Sequence, residues 1–97
     1  VPGSFELIYG CKKMQNSDVD VIIAIGCIIK GETDHYNYIC QSVSNGITQL
    51  NIINNIPIVF CVLTDHNVQQ SINRSGGKHG NKGIESAVAA IKIACIK

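Results

Sequence analysis

"VDVIIAIGCII", residues 19–29, carries one charge, Asp20, and one glycine, Gly26, and is otherwise apolar and rich in β-branched residues. A second run, "PIVFCVL" at 57–63, has the same character. Strands of a parallel sheet covered by helices on both faces read this way, so both runs are predicted to be central parallel strands. Between them Ile39, Val43, Ile47 and Leu50 fall at i, i+4, i+8 and i+11, one stripe of a helix. Thr33 or Asp34 stands where an N-cap is needed, and Pro57 lies at the entry to the second run. The unit is therefore β-α-β, with a right-handed crossover expected.

Beyond the second strand, Thr64 or Asp65 can cap a short helix through Val68 and Ile72 that stops at Ser75-Gly76-Gly77. Ile84, Val88, Ile91 and Cys95 then form the stripe of a last helix, with alanines between them. Near the start, Leu7, Cys11 and Met14 are spaced for one more helix, entered through Val1-Pro2-Gly3. Two parallel strands make a poor sheet by themselves, because parallel sheets are normally wider and covered. Either Val1 ends a third strand or the chain relies on partners, and both are expected.

At 97 residues the chain is a single domain, 1–97, large enough for a modest core. The net charge of +1, the lack of tryptophan and the absence of a long basic run argue against nucleic-acid binding. The longest apolar run is too short to span a bilayer as a helix and is broken by Gly26. Five cysteines, an odd number at wide spacing, suit reduced thiols in a cytoplasmic compartment better than a disulfide scaffold.

Three stretches carry candidate chemistry. "KGETDHYNY" (30–38) leaves a strand and enters a helix, and reads either as a capped helix with a surface histidine or as a site where unpaired backbone N–H groups and the helix dipole favour an anion and His35 can move protons near neutral pH. "NRSGGKHGNKG" (73–83) combines four glycines with Arg74, Lys78 and Lys82. It has neither the Walker nor the Rossmann spacing, and reads either as an anion loop or as a plain connection between helices. "VPGSFE" (1–6) sets Ser4, an aromatic ring and a carboxylate at a helix start. His35, His66 and His79 have no Cys or His partner at ligand spacing, so no metal is expected. Cys27 and Cys61 lie inside apolar strands and are not expected to be nucleophiles.

Taken in order, "VPGSFE", "AIGCIIKGETDHYNY", "PIVFCVLT" and "NRSGGKHGNKG" resemble lumazine synthase, the penultimate enzyme of riboflavin biosynthesis. The resemblance implies a flavodoxin-like α/β fold, a three-layer sandwich about a central parallel sheet, and a pentamer, in some members built into an icosahedral shell. It leaves pentamer against shell open, and likewise association with riboflavin synthase. It implies condensation of 5-amino-6-(D-ribitylamino)uracil with 3,4-dihydroxy-2-butanone 4-phosphate, without a cofactor. By the same resemblance His35 is the acid/base residue, and Glu32, Thr33 and Arg74 hold the phosphate. Ser4, Phe5, Glu6, Cys27, Ile28 and Ile29 receive the ribityl chain and pyrimidine. Phe60 is contributed across a subunit interface, and Lys82 and Glu85 line the site.

The chain departs from the family pattern in places. Lys30 stands where arginine is common, Asp65-His66 replaces a Thr-Glu type pair, and His79 replaces a small residue. Family members also carry a strand, a helix and a stacking aromatic before "VPG", so a truncated chain lacking the first strand of the sheet is expected. A non-catalytic shell-forming or flavin-binding relative is the alternative reading, and a free-standing phosphate-binding module a third. A cytoplasmic location is expected, or a plastid if the host has one.

Overall fold

Strand pairing begins once Asp20 is left behind. In the computed structural model, which describes residues 1–96, β1 spans Ile22–Ile29 and β2 spans Ile58–Asp65. They are parallel and in unbroken register from Ile22 opposite Ile58 to Ile29 opposite Asp65. The observed β1 starts three residues later than its apolar run, and β2 continues two residues beyond the predicted end, taking in Thr64 and Asp65.

A 3-10 turn at Ser4–Glu6 leads into α1, Leu7–Met14, and the crossover helix α2 spans His35–Ile53. Both pack on one face of the sheet. Leu7 and Cys11 from α1, Val43, Ile47 and Leu50 from α2, and Ile22, Ala24, Ile28, Ile58 and Val62 from the strands make the core. The α2 stripe is therefore the predicted one. In α1 the third inward position belongs to Gln15 instead of Met14, which is half-exposed. The buried Gln15 amide donates to Leu50 O at 3.3 Å and Ile56 O at 2.9 Å, which gives its own NH2 group partners in the core and ties the end of α1 to the end of α2. Gly26 has a packing reason too, since a Cβ there would lie 2.8 Å from Ser4 Oγ and 2.9 Å from Leu7 Cδ1.

The other face carries α3, Val68–Arg74, and α4, Lys82–Ala94, joined by a two-stranded hairpin of β3, Ser75–Gly77, and β4, Gly80–Asn81. The result is a three-layer, flavodoxin-like α/β sandwich around two parallel strands. Asn67, and not Thr64 or Asp65, caps α3, its side chain accepting from Gln70 N at 2.9 Å. The strand had already claimed the two predicted caps. At the far edge of β2 the Asn51 side chain imitates a strand: Ile58 N donates to Oδ1 at 2.7 Å and Nδ2 donates to Ile58 O at 3.0 Å.

Two expectations about packing are corrected. β1 is not covered on both faces: Ile23, Ile25 and Ile29 point to the α3/α4 side and are exposed, Ile25 by 71%. The reason is placement, because α4 lies chiefly over β2 and only grazes β1. The predicted stripe of α4 also faces outward, with Ile84, Val88, Ile91 and Cys95 all exposed. Ser86 and Ala90 are buried instead, and their small side chains let the helix lie close to the sheet.

Ile47 and Ile52 share a helix but not an environment, being 2% and 71% exposed. In a denaturant titration Ile47→Ala is expected to lower stability by about 2–5 kcal/mol. Ile52→Ala is expected to stay within about 0.5 kcal/mol of the parent.

Candidate active site

The carboxyl end of β1 opens into a cavity of about 420 Å³ lined by Ser4, Phe5, Glu6, Cys27, Ile28, Ile29, Thr33 and His35, together with Gly3, Gly31, Tyr36 and Ile39. The N-terminal turn is tied to the strand, because Ser4 Oγ donates to Cys27 O at 3.2 Å. This bond places Phe5 and Glu6 beside the end of β1. The Thr33 hydroxyl accepts from His35 N at 3.3 Å, whereas the Asp34 side chain makes no capping bond. Thr33 thus fixes the first residue of α2, and His35 is that residue. His35 is exposed and lines the cavity.

A second cavity, about 370 Å³, lies against β2 and is lined by Phe60, Val62, Leu63, Thr64, Arg74, His79, Lys82 and Glu85. The β3–β4 hairpin builds it. Gly76 at φ +103° and Gly80 at φ +95° occupy the left-handed region that side chains resist, which allows the tight reversal. His79 N donates to Asn73 O at 2.7 Å and closes the hairpin back onto α3. Asn81 caps α4, accepting from Ile84 N at 3.0 Å, and so sets Lys82 and Glu85 in the first turn of that helix. The glycine-rich stretch places three cationic or titratable side chains, Arg74, His79 and Lys82, around one cavity.

The residues expected to share one site are thus divided. Eight line the first cavity, and Phe60, Arg74, Lys82 and Glu85 line the second; the two sets have no member in common. Glu32 lines neither and is exposed on the loop. Sequence reasoning missed Tyr36, which lines the first cavity and meets His66 edge-to-face at 6.0 Å and 81°. Desolvation, then the neighbouring Cys40 thiol, raises its hydroxyl above the usual phenol value, so the group stays a proton donor at neutral pH. Its place after a histidine in "DHYNY" was the available signal. No group of three or more metal-ligating side chains gathers anywhere among the described residues.

Comparison with known proteins decides the family. The sequence model for 6,7-dimethyl-8-ribityllumazine synthase matches residues 1–97. The chain belongs to the lumazine synthase family. It is 62% identical over 98 residues to the 6,7-dimethyl-8-ribityllumazine synthase of Flavobacterium johnsoniae, which covers all of this chain and 52% of that protein. It is 60% identical over 99 residues to the enzyme of the same name from Christiangramia forsetii, covering all of this chain and 59% of that one. The counterpart from Flavobacterium psychrophilum is 59% identical, with 52% of its length covered. The chain spans between half and three-fifths of the length of these lumazine synthases.

The cap on α4 offers a direct check of how the second cavity is assembled. Asn81→Ala should destabilise the protein by about 1 kcal/mol. The measurement is the shift of the thermal midpoint, set beside Asn55→Ala as a control at a loop residue without a capping role.

Proposed function

We propose that the chain forms 6,7-dimethyl-8-ribityllumazine by condensing 5-amino-6-(D-ribitylamino)uracil with 3,4-dihydroxy-2-butanone 4-phosphate, releasing phosphate and water. The observation that carries this reading is the convergence of the N-terminal turn, the end of β1 and His35 on one cavity in a chain of this family. Ser4, Phe5, Glu6 and the Cys27–Ile29 backbone take the pyrimidine and ribityl chain. His35 moves protons as the amine adds to the ketone and as phosphate leaves. Thr33 and Glu32 contribute at the phosphate end, and Arg74 grips the phosphate oxygens. The substrates already hold the amine, the ketone and the leaving group, so the proposed reaction needs no metal or organic cofactor.

The site is proposed to be completed between copies of the chain: the first cavity of one copy faces Phe60, Arg74, Lys82 and Glu85 of the next. The separation of the two lining sets supports this, as do the outward apolar residues of β1 and α4, which a single chain leaves in water. A homopentamer is the proposed assembly, with an icosahedral shell as its larger form and riboflavin synthase as an associated enzyme. A cytoplasmic location accords with five free cysteines, Cys11 and Cys61 among them buried. Among the described residues no helix is long and apolar enough to cross a membrane.

Lumazine formation, corrected for the uncatalysed reaction, tests the reading. His35→Ala is expected to lower kcat by about 10²-fold with little change in KM. Arg74→Ala is expected to raise KM for the phosphate substrate by about tenfold or more. If the site is shared between copies, co-assembled His35→Ala and Arg74→Ala chains should recover about a quarter of the parent activity, because random pairing restores that share of sites. Tight product binding with no turnover would instead identify a non-catalytic relative.

A further inference from the structure

Asp65, the last residue of β2, is a carboxylate buried at the end of an apolar strand, its side chain only 1% exposed. Burying a carboxylate is costly unless hydrogen bonds and an opposite charge offset it. Ser71 Oγ from α3 donates to Asp65 Oδ2 at 2.9 Å. The hydroxyl has a single proton and spends it there, so in the 3.3 Å contact between Ser71 Oγ and Cys27 Sγ the thiol is the donor. The remaining oxygen, Oδ1, receives no hydrogen bond among the described residues and lies 2.7 Å from Arg74 Nη1. A directed polar chain therefore runs from Cys27, in the first cavity, through Ser71 and Asp65 to Arg74, in the second.

We propose that Asp65 is a positioning residue for anion binding: its buried carboxylate pins one nitrogen of Arg74 so that the other guanidinium donors point into the second cavity, where they meet the phosphate of the substrate. This rests on the reading that Arg74 grips that phosphate. The Arg74 side chain is 53% exposed and, without an anchor, would sample many rotamers in water. A single contact through Nη1 uses a small part of a group with five N–H donors, so orientation is gained without exhausting the fork. Ser71 holds the carboxylate in turn, and the Cys27 thiol holds Ser71. An ion pair with its guanidinium half in water adds little to stability by itself, and fixing one geometry is a role such pairs are suited to.

The test is equilibrium binding of inorganic phosphate to the full chain, by calorimetry, together with KM for each substrate. Asp65→Asn is expected to weaken phosphate binding and raise KM for the phosphate substrate about tenfold, leaving KM for the pyrimidine substrate unchanged. In an Arg74→Ala background the same substitution should change phosphate binding by less than about twofold, because Asp65 acts through the arginine. Ser71→Ala, which keeps the charge and removes one of its holders, should act in the same direction but less. Equal losses from Asp65→Asn in both backgrounds would overturn the proposal in favour of a purely structural role. Tighter phosphate binding in Asp65→Asn would also overturn it, since the carboxylate would then compete with phosphate for the guanidinium. Absence of lumazine formation would count against the proposed activity, while the phosphate measurement would still decide the role of Asp65.

Discussion

The parallel pairing of β1 with β2 is the constraint on which the other features depend. Their register sets Ile29 beside Asp65, and Lys30 N donates to Asp65 O at 2.9 Å, so both strands end at the same level. Everything that leaves the sheet there must share a small space. From β1 come the loop and His35; from β2 come Asp65 and His66, the latter in edge contact with Tyr36 at the start of α2. A slip of one residue in this pairing would reverse the faces of one strand, sending Ile28 out of the core and moving Asp65 away from Ser71.

Much of this was legible in the sequence, because the signals were local and of one period. Two apolar β-branched runs and a stripe at helical spacing were enough for the β-α-β unit and for Val43, Ile47 and Leu50 as its core. The motif "GETDH" could be placed at a strand end for the same reason. What could not be read was the choice between faces. In α4 the large apolar residues and the small ones each make a stripe, and period alone cannot say which stripe meets the sheet. Close approach to β2 selects Ser86 and Ala90, and the isoleucines are turned outward. A reading in which apolar means inside fails when the molecule's own interior is not the only place such residues can be covered.

The candidate site was legible to a similar degree. Its residue types and their order were visible, but their distribution over two cavities was not, because that follows from which side of the sheet each helix takes. The Asp65–Arg74 pair was hidden for a related reason: it joins a strand end to a helix end nine positions later, a separation that matches no simple period. The aspartate stands out in the sequence only as a charge closing an apolar run. Its burial and its partners come from α3 folding back over the end of β2.

The two outer edges of the sheet are held by different side chains. At β2 the Asn51 amide already occupies the N–H and C=O of Ile58, in the place where an added strand would have to begin pairing. At β1 no strand is paired with the outer edge among the described residues. A further strand would therefore meet the Asn51 amide where pairing with β2 begins, and on the other side the Ser4 hydroxyl, bonded to the outward carbonyl of Cys27 near the end of β1. One asparagine on a neighbouring helix thus occupies both backbone groups of a residue at the start of β2, whereas the bond at β1 occupies one carbonyl.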